Sequence, residues 1–355
     1  MNQWFLLFFS FLFFACSSNK EGTEVKKTYK ITPYFNKNIL SEKKIISGNQ
    51  NNSTAVLLIT NDLFNNFEGV EKEYINRQTK KKKSLIIGGK EKLKKYKRLI
   101  ENKFKYPTVF IDSGNFTNPR VIPSKAAAFF NDLDYQVVAL GKNEFKINFP
   151  YNQYYKDQLY KLLSPVDDKI TLSNLTTPFE SRNNFKFTNL SKPKIIKVGN
   201  LKIGIITVIQ PDFSLEINPK KLNGFIFQHF NQSIKSQLDI LAVNKTNFNV
   251  LIANTDLQCP LIKGRFIKKT QSFDPNKNLP CVTDSYLYKQ VSLISKGNIH
   301  LILGSGAGGM LHHKIAGIPF VQNSIGGDYI SAIQVSYNEK KSKPELKIFK
   351  PISLK

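Results

Sequence analysis

Oxygen-bearing side chains recur in short clusters along this chain, with carboxylates at Asp62, Asp112, Glu144 and Asp256. Asp62 lies in Thr60-Asn61-Asp62-Leu63-Phe64 and Asp256 in Asn254-Thr255-Asp256-Leu257. Asn115, in Asp112-Ser113-Gly114-Asn115-Phe116, and Asn143, in Leu140-Gly141-Lys142-Asn143-Glu144-Phe145, add amide oxygens. Carboxylate and amide oxygens are ligand types for a divalent cation, whose bound water is the nucleophile of metal-assisted phosphoester hydrolysis. Lys142 carries a cation that is expected to pair with Asp62.

Other residues invite chemistry and lose it on inspection. Gly304-x-Gly306-x-x-Gly309 has the spacing of a dinucleotide-binding loop, but that loop must open a helix, and Met310 to Gly317 is too short for one before Pro319. His312 and His313 are adjacent, so on a strand they point to opposite faces and cannot serve one metal together. His229 and His300 are isolated and read as structural. Cys259 and Cys281 flank a polar stretch that a disulfide between them would close in an oxidising compartment; the alternative is two free thiols.

The clusters fall at the ends of apolar runs. Val56–Ile59, Ser84–Ile87, Thr108–Ile111, Gln136–Leu140, Lys169–Leu172, Asn249–Ala253 and Ile299–Leu303 read as strands. Ile195–Val198 and Leu201–Val208 read as a hairpin, and Pro319–Gln322 and Tyr329–Tyr337 as closing strands. Helical spacing marks Lys90–Asn102, Ser124–Asp132, Asn152–Leu163, Gln232–Val243 and Asp284–Ser295. Alternating strands and helices with one antiparallel hairpin predict an α/β domain with mixed sheets. In such sheets, sites form at the carboxyl ends of strands, where these clusters lie.

The order and spacing of the clusters resemble the calcineurin-like metallophosphoesterases, closest to the catalytic domain of bacterial 5′-nucleotidases, over about residues 52–340. Gly88-Gly89 before a helix, Asp134-Tyr135 before a strand and Ile318-Pro319-Phe320-Val321-Gln322 extend the likeness. The resemblance implies a four-layer α/β/β/α sandwich of two mixed sheets. It also implies a site where two metal ions activate water against phosphorus. At that site Asp62 matches a family ligand, but Phe64 stands where a His belongs, and Asn115 where an Asp bridges both metals. Lys142 takes the place of a metal-binding Asn, and Asn143 that of the His that polarises the phosphate. Asp256 replaces a His, and Gly306 and Gly308 replace two more. The resemblance therefore implies the fold without its catalytic set. No bound metal or other cofactor is expected, and Asp62 and Asp256 are the candidates if one ion binds.

The start of the chain, MNQWFLLFFSFLFFAC, is an apolar run that stops at Cys16 before Ser17-Ser18-Asn19. It is too short for a permanent transmembrane helix and resembles a bacterial lipoprotein signal. That resemblance implies removal of residues 1–15 and a lipid on Cys16. Ser17 after the Cys, rather than Asp, favours the outer membrane over the inner. Residues 16–51 are polar and read as a tether, leaving residues 52–355 as a single domain.

Charge bears on partners. The chain carries a net charge of +26, and its 3 Cys and 4 His exclude a disulfide scaffold or a Cys-rich zinc module. A hydrophobic fraction of 41% with 28 Phe excludes wholesale disorder. Between Lys80 and Lys105 stand 12 Lys or Arg and 2 Glu, a basic face suited to anionic envelope components. Nucleic acid is not expected, because Tyr96, Phe104 and Tyr106 are too few to stack bases along that run. The sequence thus predicts a membrane-anchored lipoprotein with a degenerate, non-catalytic domain acting in binding or structure. The alternative is a residual metal-dependent phosphoesterase using Asp62, Asp256, Asn115 and Asn143.

Overall fold

The computed structural model describes residues 52–355 except 76–77, 79–80, 152–153, 177–186, 188, 223–224, 256, 258–271, 279–284, 295–296, 307–308 and 340–342. Two large sheets stack face to face with helices outside each, giving the four-layer sandwich. The first sheet runs, in spatial order, Lys343–Ile348, Tyr329–Asn338, Asn52–Thr60, Thr108–Asp112, Tyr135–Ala139, Ile170–Leu172 and Asn189–Leu190, with Ile352–Ser353 against Tyr329–Asn338. The second runs Ser272–Asn278, Leu311–Ile315, Ile318–Gln322, Leu301–Ser305, Phe248–Asn254, Leu201–Ile209 and Lys194–Val198.

Both sheets are mixed. Asn52–Thr60 pairs in parallel with Thr108–Asp112 and antiparallel with Tyr329–Asn338. Leu201–Ile209 pairs in parallel with Phe248–Asn254 and forms the expected antiparallel hairpin with Lys194–Val198. The apolar runs are uninterrupted because each central strand is covered on both faces. Ala55, Leu57 and Ile59 point between the sheets toward Ile203, Val250 and Leu303. Val56 and Leu58, from the same strand, point outward into a layer with Leu93, Ile100 and Phe130. On the far side Leu238, Leu241 and Val291 cover Leu251 and Ile302.

The helix Lys90–Phe104 buries Leu93, Ile100 and Phe104 and stops at Lys105, whose left-handed φ of 54° lets its N–H reach Glu101 O. Pro107 two residues on disfavours another turn. Ala126–Asp132, Tyr155–Leu163, Phe230–Val243 and Tyr286–Ser292 are the other main helices. Several strands escape a reading of local pattern. Val70–Ile75 carries charges at three successive positions, Glu71, Lys72 and Glu73, and forms by pairing with Lys82–Ile87 in a separate ribbon. Leu311–Ile315 is broken by His312-His313-Lys314 and forms as a hairpin with Ile318–Gln322. Lys343–Ile348 is an edge strand that accommodates Pro344 because its outer side needs no ladder donor.

Candidate functional site

The polar clusters converge where the carboxyl ends of strands from both sheets meet. Thr60 pairs with Asp112 across the first sheet, and Asn254 with Ser305 across the second. Two hydroxyls tie the sheets together. Ser113 Oγ donates to Gly304 O at 3.1 Å, and Ser305 Oγ donates to Ser113 O at 2.7 Å. Asp62 and Asn115 sit at the turns leaving their strands with φ of 50° and 57°. Asp and Asn tolerate this left-handed backbone better than most residues. Phe64, half-buried on the same turn, adopts φ 53°, an uncommon conformation for a bulky side chain.

Asp62 is the centre of the network. Asn61 Nδ2 donates to its carboxylate at 2.7 Å, and Gly306 N lies 3.1 Å from each oxygen. The Asn115 side chain also hydrogen-bonds to it. Burial pushes the Asp62 carboxyl up to about 6, although these donors and the Lys142 charge favour its ionised form. Amides hold the carboxylate, and the charge of Lys142, itself only 8% exposed, acts on it in the same sense.

A ring of bonds surrounds this carboxylate. Asn115 Oδ1 accepts from Asn143 N at 3.0 Å, and Asn254 Oδ1 accepts from Lys142 N at 3.1 Å. Asn143 Nδ2 donates to Thr117 O, which turns its amide into the wall of the site. Gly141 sits where no side chain fits: a Cβ there would come within 2.5 Å of Asn115 Oδ1 and of Asn254 Nδ2.

Beneath lie two further carboxylates. Glu144 accepts from Gly141 N, Thr117 N and Asn115 N at 2.6, 2.9 and 3.1 Å, so it clamps two of the clusters together. Burial pushes its carboxyl up to about 7 despite those donors. Asp112 accepts from Thr60 Oγ1 at 2.7 Å and Gly114 N at 2.9 Å. Burial, and more weakly the Glu144 and Asp62 charges, raise it well above the ordinary carboxylate range.

The structure therefore brings together Asp62, Asn115, Lys142, Asn143 and Gly306. Asp256, Gly308, Cys16, Lys80, Cys259 and Cys281 lie outside the described residues. His312 and His313 lie on a strand, as the sequence suggests, yet His312 reaches the network indirectly. Its Nε2 lies 3.1 Å from Ser331 Oγ, which donates to Asn323 Oδ1. Asn323 N in turn donates to Asn61 Oδ1 at 2.8 Å. Burial holds the His312 imidazole down to about 3, so it stays neutral. Asn323 and Ser331 were not legible as site residues. Asn254 and Ser305 were visible in their clusters but without a role. The Gly304–Gly309 segment follows a strand and leads into the strand Leu311–Ile315, not a helix. His300 accepts from Asn249 N and stacks on Phe248, a structural role.

The described residues fit a two-metal centre poorly. No group of three or more His, Cys, Asp and Glu placed to hold a metal occurs among them. The groups aimed at Asp62 are N–H donors, which occupy the lone pairs a cation would need.

Several solved structures share the fold. A 5′-nucleotidase from Staphylococcus aureus superposes with a TM-score of 0.62 at 13% identity, covering 85% of this chain and 54% of its own. One from Thermus thermophilus gives 0.59 at 16%, with the same coverages. A calcineurin-like phosphoesterase from Bacillus subtilis gives 0.57 at 15%, covering 85% of this chain and 91% of its own. The chain spans about half the length of the nucleotidases it matches. No family profile and no curated protein matches the sequence.

Proposed function

With the fold of the 5′-nucleotidases and calcineurin-like phosphoesterases as premise, we propose that this chain is a lipid-anchored bacterial envelope protein that uses the fold for binding or structure rather than catalysis. One observation carries the reading. The carboxylate that matches a family ligand, Asp62, is bound by Asn61, Asn115 and Gly306 N–H groups, and the cation near it is Lys142. A site that satisfies its carboxylate with its own donors does not need a metal to fold, and those donors compete with the open coordination that water activation requires. The lipid anchor follows from the apolar run ending at Cys16.

The test is metal content of the purified chain after soaking in manganese and zinc and desalting, alongside hydrolysis of a nucleoside monophosphate. Near-zero metal with no hydrolysis is the expected result. Two equivalents of metal per chain would refute it. One equivalent, with hydrolysis abolished by Asp62→Ala, would establish the residual phosphoesterase of Asp62, Asp256, Asn115 and Asn143 instead. Mass spectrometry of the N-terminal peptide checks the lipid on Cys16.

A further inference from the structure

The ribbon of Val70–Ile75 and Lys82–Ile87 pairs with no other strand among the described residues. An isolated two-stranded ribbon is marginal in water unless something covers its faces. The register sorts its side chains. Val70, Lys72, Tyr74, Lys83, Leu85 and Ile87 share one face. There Ile87 is buried, Val70, Tyr74 and Leu85 are half-buried, and Lys72 reaches Asp328 at 3.1 Å. This face is the one turned to the rest of the chain. Glu71, Glu73, Ile75, Lys82, Ser84 and Ile86 share the other face, and all are exposed, Ile75 and Ile86 by 50% and 54%. Lys82 lies 3.5 Å from Glu73, and Glu71 has no ion-pair partner among the described residues. The outward face is thus apolar and acidic, in a chain whose net charge is +26.

The helix Lys90–Phe104 lies beside the ribbon, since Lys92 donates to Ile86 O. Leu93, Ile100 and Phe104 fix its inner side. Glu91, Lys95, Arg98 and Asn102 recur at helical spacing on the opposite, exposed side. There a cavity of about 230 Å³ is lined by these four with Lys94 and Leu99. Lys95 and Arg98 make no ion pair among the described residues, and half-buried Leu99 gives the cavity an apolar patch. Cations around a leucine complement isoleucines beside glutamates. The acidic half and the basic half thus lie side by side on one chain. A twofold interface uses the same patch on both copies, so an axis between the halves would set each against the opposite half of its partner.

We propose that two copies of this chain associate about such an axis, the outward ribbon face of each docking on the outer face of the other's Lys90–Phe104 helix. Glu71 and Glu73 meet Lys94, Lys95 and Arg98, and Ile75 and Ile86 cover Leu99. Charge complementarity selects the occupant. Two chains at +26 repel overall, so contact between them needs opposed local charges, and this patch supplies both signs. An anionic surface would be repelled by Glu71 and would leave both isoleucines uncovered. The inference goes beyond the binding or structural reading above and does not depend on the lipid at Cys16.

Sedimentation equilibrium of the full chain in density-matched neutral detergent tests this, up to about 100 μM chain. The unaltered chain should form a dimer. Glu71→Lys with Glu73→Lys sets cations against cations, and Lys95→Glu with Arg98→Glu sets acids against acids, so each variant alone should be monomeric. Every contact occurs twice in a twofold dimer. At roughly threefold per exposed ion pair, the four pairs lost weaken association about 80-fold. Mixing the two variants should restore the dimer, because the altered ribbon then meets the altered helix and the native helix meets the native ribbon. No pairing within one chain gives that result. All four positions are exposed, and unchanged circular dichroism melting verifies the fold of each variant. An unaltered chain that stays monomeric would overturn the inference. So would a dimer that either variant leaves intact, or a mixture that stays monomeric.

Discussion

Raising the pH from about 6.5 to about 8 should destabilise the protein, because its central carboxyls are buried as acids. Burial pushes Asp62 up to about 6 and Glu144 up to about 7, against about 4 in an unfolded chain. The folded state therefore holds protons that the unfolded state has released. That stabilisation is present in the acid part of the range and is lost as pH rises through the folded values. Over the chosen window these two groups together account for about 1 kcal/mol. Asp112, raised well above its usual range, adds a loss of the same sign. His312 and His300, both lowered by burial, act in the opposite sense as their unfolded imidazoles release protons near the ordinary value of about 6.5, so at the acid end of the window His312 offsets about 0.4 kcal/mol of the loss and His300 adds to that offset. The exposed Asp132 and Glu216, both lowered chiefly by lysine hydrogen bonds, act at lower pH still. The difference between the protein and a Glu144 variant over this window cancels the histidine contribution and isolates Glu144. Urea unfolding followed by circular dichroism at constant ionic strength gives the free energy at each pH. Glu144→Gln should lower stability overall, since Gln cannot accept from all three N–H groups, and should flatten the dependence on pH. Stability that is level or rising across the window would refute the reasoning, as would an undiminished slope in the Gln variant.

Two substitutions test the network by other means. Gly141→Ala places a Cβ 2.5 Å from Asn115 Oδ1 and 2.6 Å from Asn115 N, so it should cost about 3 kcal/mol in thermal or urea unfolding. A near-neutral result would mean that the Asn115–Gly141 contact is looser than described. Asn323→Ala removes the donor to Ile59 O and the acceptor of Ser331 Oγ, and should cost about 2–4 kcal/mol. It also frees the Ser331 proton to reach His312 Nε2, so nitrogen NMR of the imidazole should show a changed tautomer balance. An unchanged ring would place His312 outside the network.

Much of the scaffold was legible in the chain. Runs such as Val56–Ile59 and Val109–Ile111 are apolar at every position, which only strands covered on two faces tolerate. Helix Lys90–Phe104 showed its inner stripe at Leu93 and Ile100. The Val70–Ile75 strand did not show, because a solvent-facing ribbon needs no apolar alternation and is held by its partner's backbone. Of the site, Asp62, Asn115, Lys142, Asn143 and Gly306 were singled out correctly as neighbours. Their roles were not legible: no local pattern shows that Asn61, Asn115 and Gly306 hold the Asp62 carboxylate. Asn323 went unseen, because an Asn after a strand usually marks nothing more than a turn.

Residue type settles some chemistry whatever the fold does. A Phe at position 64 and Gly at positions 306 and 308 bring no metal-binding side chain, and twice as many cations as anions make the chain basic in any conformation. Covering continuous apolar strands on both sides likewise leads to layered sheets and helices. The tertiary structure alone decided how the remaining polar groups are satisfied. A buried donor or acceptor must find its partner in space, and here the partners are remote in sequence. Gly306 lies 244 residues from Asp62, and Asn323 lies 262 residues from Asn61. Local patterns carry no trace of such pairs, because the bonds exist only once both sheets have stacked and excluded the water that would otherwise compete for them.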